Sequence, residues 1–230
     1  MSTPPFGPVS TRDIRTVSAQ LGRPARDVVG IAARCVCGAP TVVSTAPRLK
    51  DGTPFPTFYY LTHPAATAAI SALEATQVMN EYNDQLAGDD DLQQRYRAAH
   101  EAYLADRESI GVVDEIHGIS AGGMPVRVKC LHALAGHSLA AGAGVNPIGD
   151  LALERSTWSP DVCQCDVYDV SDEPLDLPAS ASAPTSASVP TSATARASAS
   201  AAATTSATPA TSASAPASAT AALGDSTGRE

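Results

Sequence analysis

The chain has 230 residues, a formal net charge of −9 and a pI near 4.9. Such an acidic balance argues against a nucleic-acid binder, because affinity for a phosphate backbone comes from Lys and Arg displacing counterions. No window approaches the ~18 apolar residues needed to span a bilayer, and the N-terminus lacks a basic leader followed by an apolar core. A cytoplasmic protein without a membrane partner is the expectation.

Composition divides the chain. From about Pro178 the sequence is almost wholly Ala, Ser, Thr and Pro, with nothing large to bury. The expected organisation is a disordered N-terminus over 1–9, one globular domain over 10–155, an acidic linker over 156–177 and a disordered tail over 178–230.

In chain order, Thr11 to Leu21 fits a short helix capped near Ser10 or Thr11 and stopped by Gly22. Val28 to Ala33 and Thr41 to Ser44 read as strands, with Cys35-Val36-Cys37-Gly38-Ala39-Pro40 as a compact turn between them. Thr57 to Thr62 reads as a third strand, and His63 sits at its end, before a helix opened by Pro64 and running to about Ala75. The middle is helical, roughly Thr67 to Leu86 with a break near Thr76, then Asp91 to about Ser109. Ile119-Ser120-Ala121-Gly122-Gly123-Met124-Pro125 reads as a glycine loop opening onto a helix that continues to about Ala141, and Val145 to Asp150 as a turn-rich closing loop. The fold class is α+β, a small antiparallel sheet packed against a helical layer.

Five cysteines in a reducing compartment read as thiols or metal ligands rather than disulfides. Zinc takes thiolate and imidazole ligands tetrahedrally. Cys35, with or without Cys37, His63, Cys130 and a histidine after it come from distant segments and can converge on one ion. On a regular helix Cys130 and His132 diverge by about 200°, whereas Cys130 and His137 share a face about 10 Å apart along the axis. Spacing therefore leaves the two histidines level. Cys163-Gln164-Cys165 lies beyond the apparent core in an acidic stretch, and its participation stays open.

Arg34-Cys35-Val36-Cys37-Gly38-Ala39-Pro40, Asp51-Gly52-Thr53-Pro54-Phe55-Pro56-Thr57, Leu61-Thr62-His63-Pro64, Ala99-His100-Glu101-Ala102-Tyr103-Leu104, Gly122-Gly123-Met124-Pro125-Val126-Arg127-Val128-Lys129-Cys130-Leu131-His132 and Gly144-Val145-Asn146-Pro147-Ile148-Gly149-Asp150 stand in order over nearly all of residues 20 to 155. These blocks resemble a bacterial, mainly actinobacterial family called domain of unknown function 501. The resemblance implies a cytoplasmic protein and carries no established activity. In the family pattern the position of His63 is usually a cysteine. A Cys-to-His exchange keeps a zinc ligand and disfavours a four-cysteine iron–sulfur cluster, which favours Cys35, His63, Cys130 and His132 as the ligand set.

Two kinds of function follow. One is a metal-dependent enzyme on a small anionic ligand, with Gly122 and Gly123 cradling an oxyanion, Arg127, Lys129, Arg48 and Arg107 as countercharges, and His100, Glu101 or His137 supporting the site or moving a proton. The other is a structural-zinc module that docks a protein partner, with Phe55, Phe58 and Tyr59 as a candidate contact surface or as core.

Overall fold

A computed structural model describes residues 6–166. The expected tail over 178–230 and the part of the acidic linker beyond residue 166 lie outside the described residues.

Helix α1 (Thr11–Leu21) starts where the sequence places it. Ser10 and Asp13 form a reciprocal capping box, and Gly22 closes the helix in the left-handed conformation. Strands β1 (Val28–Arg34), β2 (Pro40–Thr45) and β3 (Tyr59–Leu61) form one antiparallel sheet with β2 at its centre. β3 is shorter than the run Thr57 to Thr62. Ahead of the domain start expected at residue 10, Gly7 exchanges backbone hydrogen bonds with Ile31 and the Phe6 ring lies over Gly30.

Every residue of β2 is buried, because successive side chains point to opposite faces and both faces are covered. Val43 packs with Ile31 and Val17 of α1 on one side. Val42 belongs to the main core with Phe58, Tyr59, Leu61 and the helices on the other. The sheet therefore has α1 behind it as well as the expected helical layer in front.

That layer comprises α2 (Pro64–Ala75), α3 (Val78–Gly88), α4 (Asp90–Glu108), α5 (Leu131–Ala141) and α6 (Pro147–Arg155), with a 3-10 turn at Asp114–Ile116. The break near Thr76 is real: Gln77 adopts a φ of 63° between α2 and α3. Two expectations need correction. The glycine segment does not open a helix; residues 121–126 form consecutive turns and α5 begins only at Leu131. Val145 to Asp150 is not a loop either, since Asn146 caps the Gly149 amide, Pro147 takes the first helical position and α6 follows.

Phe58 and Tyr59 are fully buried, so both belong to the core rather than to a contact surface. Tyr103 is buried with its hydroxyl satisfied, accepting from the Phe58 amide at 2.5 Å and donating to the Pro56 carbonyl at 3.1 Å. This fixes the entry into β3, and hence the position of His63 just beyond it.

The β1–β2 turn is tied to α1 by a fork. Arg34 donates to both carboxylate oxygens of Asp13, at 2.7 and 3.0 Å, and to the Gly38 carbonyl at 2.9 Å. Hydrogen bonding from Arg34 holds the Asp13 carboxyl down at about 2. The folded-state value is depressed, so the contribution is complete above the ordinary aspartate range and fades as pH falls from about 4 toward 2. Asp13→Ala, which removes the fork and the Asp13 half of the capping box, is expected to cost about 1–3 kcal/mol at neutral pH. Urea unfolding at pH 7 and at pH 2.5 measures it, with the difference between variant and wild type shrinking at the lower pH.

Candidate metal centres

The cysteine turn is built by its own backbone. The Cys35 amide donates to the Ala39 carbonyl at 2.9 Å, the Gly38 amide donates to the Cys35 carbonyl at 2.7 Å, and Gly38 has a φ of 89°, which favours glycine. Cys35 is buried and Cys37 is exposed on the same turn.

A second cysteine pair reaches this turn from the far end of the domain. After α6 the Ser156 hydroxyl accepts from the Trp158 amide at 3.3 Å, turning the chain, and Trp158 is buried against the core with its ring 5.5 Å from that of His63. The following residues carry Cys163 and Cys165 to the hairpin. The Sγ atoms of Cys35, Cys37, Cys163 and Cys165 all lie within 4.8 Å of one another, with Cys37 and Cys165 at 3.4 Å. All four are free thiols. Sulfurs around one tetrahedral zinc stand about 3.8 Å apart, given Zn–S bonds of ~2.3 Å, so this group needs little contraction to take an ion.

His63 adjoins this cluster with a definite role for each ring nitrogen. Its Nδ1 accepts from the Ala66 amide at 3.3 Å, capping α2. In the neutral ring the proton then sits on Nε2, which points at Cys165 Sγ from 3.1 Å. Burial holds the His63 pKa below the usual imidazole value, which keeps the ring neutral. His63 thus donates an N–H···S hydrogen bond to a candidate ligand.

The thiols differ among themselves. Burial pushes Cys35 and Cys165 up, whereas the Ala39 amide draws Cys37 down to about 7. A cleft of about 760 Å³ runs beside the cluster, lined by Cys37, Cys163, Cys165, Arg12, Asp13 and Arg34 among others.

Cys130 and His132 lie in a separate group, with Glu74 as third member and the three ligand atoms within 4.8 Å of one another. The structure therefore brings Cys35 and His63 to one place and Cys130 and His132 to another. The helical-wheel difficulty disappears because Cys130 is the N-cap of α5, with φ −149° and ψ 108°, and is not on the wheel. His132 draws the Cys130 thiol below its ordinary value, and Cys130 followed by Glu74 raises His132.

The remaining candidates are structural in their contacts. His137 is fully buried, stacks on Tyr59 at 5.6 Å and accepts from Asn146 Nδ2 at 3.1 Å, and burial lowers its pKa to about 4. His100 is bonded to the Ser120 hydroxyl at 2.8 Å, and Glu101 is exposed. Arg48 faces Glu115 at 2.5 Å and donates to the Gly52 carbonyl at 2.8 Å. Arg127 and Lys129 are exposed; the Lys129 amide donates to the Gly122 carbonyl at 2.7 Å and the Arg127 amide to that of Gly123 at 3.2 Å. Gly122 and Gly123 have φ of 70° and 96°, and a Cβ on Gly123 would stand 2.5 Å from the Arg127 carbonyl, so these glycines serve a tight turn.

The pairing of Cys163 and Cys165 with the hairpin was legible only as a repeated Cys-x-Cys spacing. Glu74 carried no signal, since its place depends on how α2 meets the start of α5.

A family model described as a protein of unknown function, DUF501, matches residues 31–154. No curated protein and no solved structure matches the chain. No helix among the described residues is long and apolar enough to cross a membrane.

Arg107 supplies a test of the loop reading. It is buried and donates to the carbonyls of Ile116, at 2.9 Å, and Ile119, and burial lowers its pKa. Arg107→Ala leaves two carbonyls without their donor and is expected to cost about 2–4 kcal/mol in urea unfolding. A loss under 0.5 kcal/mol would mean that this arginine is not holding the loop.

Proposed function

The chain belongs to the DUF501 family of proteins of unknown function, and we propose that it is a zinc protein whose Cys35, Cys37, Cys163 and Cys165 thiolates form a closed structural centre. The observation that carries this reading is the convergence of four free sulfurs, from two Cys-x-Cys pairs 126 residues apart at their closest in sequence, within 4.8 Å of one another. Their compactness suits a single ion; a cluster of several irons separates its cysteine sulfurs by the cluster's own width. Four thiolates fill a tetrahedral shell and leave no position for substrate, so the role that fits this centre is structural rather than catalytic.

The surroundings fit a negatively charged tetrathiolate. His63 Nε2–H donates to Cys165, and the Arg34 guanidinium lies on the same turn as Cys35. The hydrogen bond from His63 reduces the charge that the Cys165 sulfur presents and orients it. Reduced thiols also suit a cytoplasmic location.

A module that docks a protein partner is the accompanying role. Val36 and Val162 are 64% and 56% exposed, and each adjoins a cysteine of the cluster in sequence. Apolar side chains presented by a metal-fixed turn provide what the core of a protein interface requires.

Elemental analysis of protein purified without an affinity tag tests the centre. Cys35→Ser and Cys163→Ser are each expected to lose about one zinc per chain relative to wild type, and chelation is expected to lower Tm because binding energy of the native state is lost. Unchanged zinc in both variants, or iron in place of zinc, would overturn the reading.

A further inference from the structure

We propose that Glu74, Cys130 and His132 form a second metal site, which takes one zinc ion on three protein ligands and leaves a fourth position for water. It does not rest on the four-thiolate centre, because the two groups share no residue.

The inference comes from the hydrogen bonds of the His132 ring. Its Nε2 lies 3.2 Å from the Thr67 carbonyl oxygen and 3.0 Å from the Ser71 hydroxyl. A carbonyl only accepts, so Nε2 carries a proton. In the neutral ring Nδ1 then holds a lone pair, and it stands 3.3 Å from Glu74 Oε1. A lone pair facing a carboxylate oxygen at that distance is repulsive unless a positive charge lies between them. The sulfur of Cys130 adds a third electron-rich atom to the same small volume.

A proton on Nδ1 bonds one acceptor at a time. A zinc ion accepts electron pairs from all three at once. Thiolate, imidazole and carboxylate are the donor types zinc takes, and three protein ligands with an open position is the pattern of a site that binds water or substrate.

The outer contacts are those that metal ligands carry. The ring N–H not facing the ion donates to the Thr67 carbonyl, and the Leu131 amide donates to Glu74 Oε1 at 2.6 Å. Both side chains of the His132–Glu74 pair are about a quarter exposed, 26% and 23%, so water reaches the site. The ligands sit on regular elements, Glu74 on the last turn of α2 and the other two at the start of α5.

The test is a zinc titration of the metal-depleted full chain, repeated with cobalt(II) as an absorbing probe. Wild type is expected to bind about two equivalents. Glu74→Gln and Cys130→Ser should each bind about one, and it should be the equivalent that Cys163→Ser removes. Glu74→Gln preserves side-chain volume and can still accept from Leu131, so it reports on the site if Cys130→Ser fails to fold. The cobalt form of Cys163→Ser should keep a weaker thiolate-to-metal absorption from its single remaining Cys130 ligand. Unchanged stoichiometry in Glu74→Gln overturns the proposal and assigns the positive charge to a proton on His132. Loss of both equivalents in Cys163→Ser also overturns it. Retention of both in Cys163→Ser, with one lost in Glu74→Gln, supports the second site while refuting the four-thiolate centre.

Discussion

The close approach of α5 to its neighbours is the constraint on which the rest of the structure depends. This helix has almost no solvent face over its first two turns: Leu131, Ala133, Leu134, Ala135, Gly136, His137 and Ser138 are all buried. It lies against β3 and α6 through backbone rather than long side chains. A Cβ on Gly136 would stand 3.5 Å from the Tyr59 carbonyl, and one on Gly149 of α6 would stand 2.2 Å from the Leu134 carbonyl. The first is ordinary contact; the second is a clash between main chains that no rotamer relieves. Packing at this density transmits position. Because α5 cannot slide, the end of β3 and the start of α5 are set together, and His63 and Cys130 each inherit a fixed place.

The two groups of ligand atoms use this frame differently. His132 belongs to α5 and Cys130 is its N-cap, and Glu74 reaches them from α2 by accepting the Leu131 amide. All three are held by elements with buried faces. The four-thiol group has one half on a hairpin turn, clamped by Arg34 to Asp13 and Gly38, and the other half on a segment anchored to the core by Trp158. Cys163 and Cys165 have no helix or strand around them. A metal ion there would order the segment it binds, coupling ligand binding to local folding energy.

Much of this was readable in the sequence because the signals were local. The capping box at Ser10 and Asp13, Gly22 after α1, the Cys-x-Cys-Gly turn between two β-branched runs and the Pro64 start of α2 each encode their structure within a few residues. Failures came where tertiary contacts decide. Gly122-Gly123 reads equally as a helix opening or a turn, and only the return of Arg127, Lys129 and Cys130 amides onto the glycine carbonyls selects the turn. Asn146-Pro147 resembles a closing loop until the packing of Ile148 and Ala152 shows a helix. The grouping of the candidate ligands is likewise a tertiary matter. Which of Cys35, His63, Cys130 and His132 lie together depends on where residues 156–166 run and on how α2 meets the start of α5.

The composition of each donor set fixes what it is able to do. Four thiolates around one ion complete its shell and deliver their charge to the metal, leaving it a weak Lewis acid with no vacant position; such a centre holds chain segments together. One thiolate, one imidazole and one carboxylate give the ion less negative charge and an open face, conditions under which bound water becomes acidic. The open position belongs only to the site proposed at the start of α5, where the Thr67 carbonyl sets the tautomer of His132. The glycine turn lies just before the same helix, and the chain between them carries Arg127 and Lys129 at the surface. These two exposed cations stand just before α5 because the connection between the turn and the helix is short, and not because the glycines open a helix as they suggest in sequence.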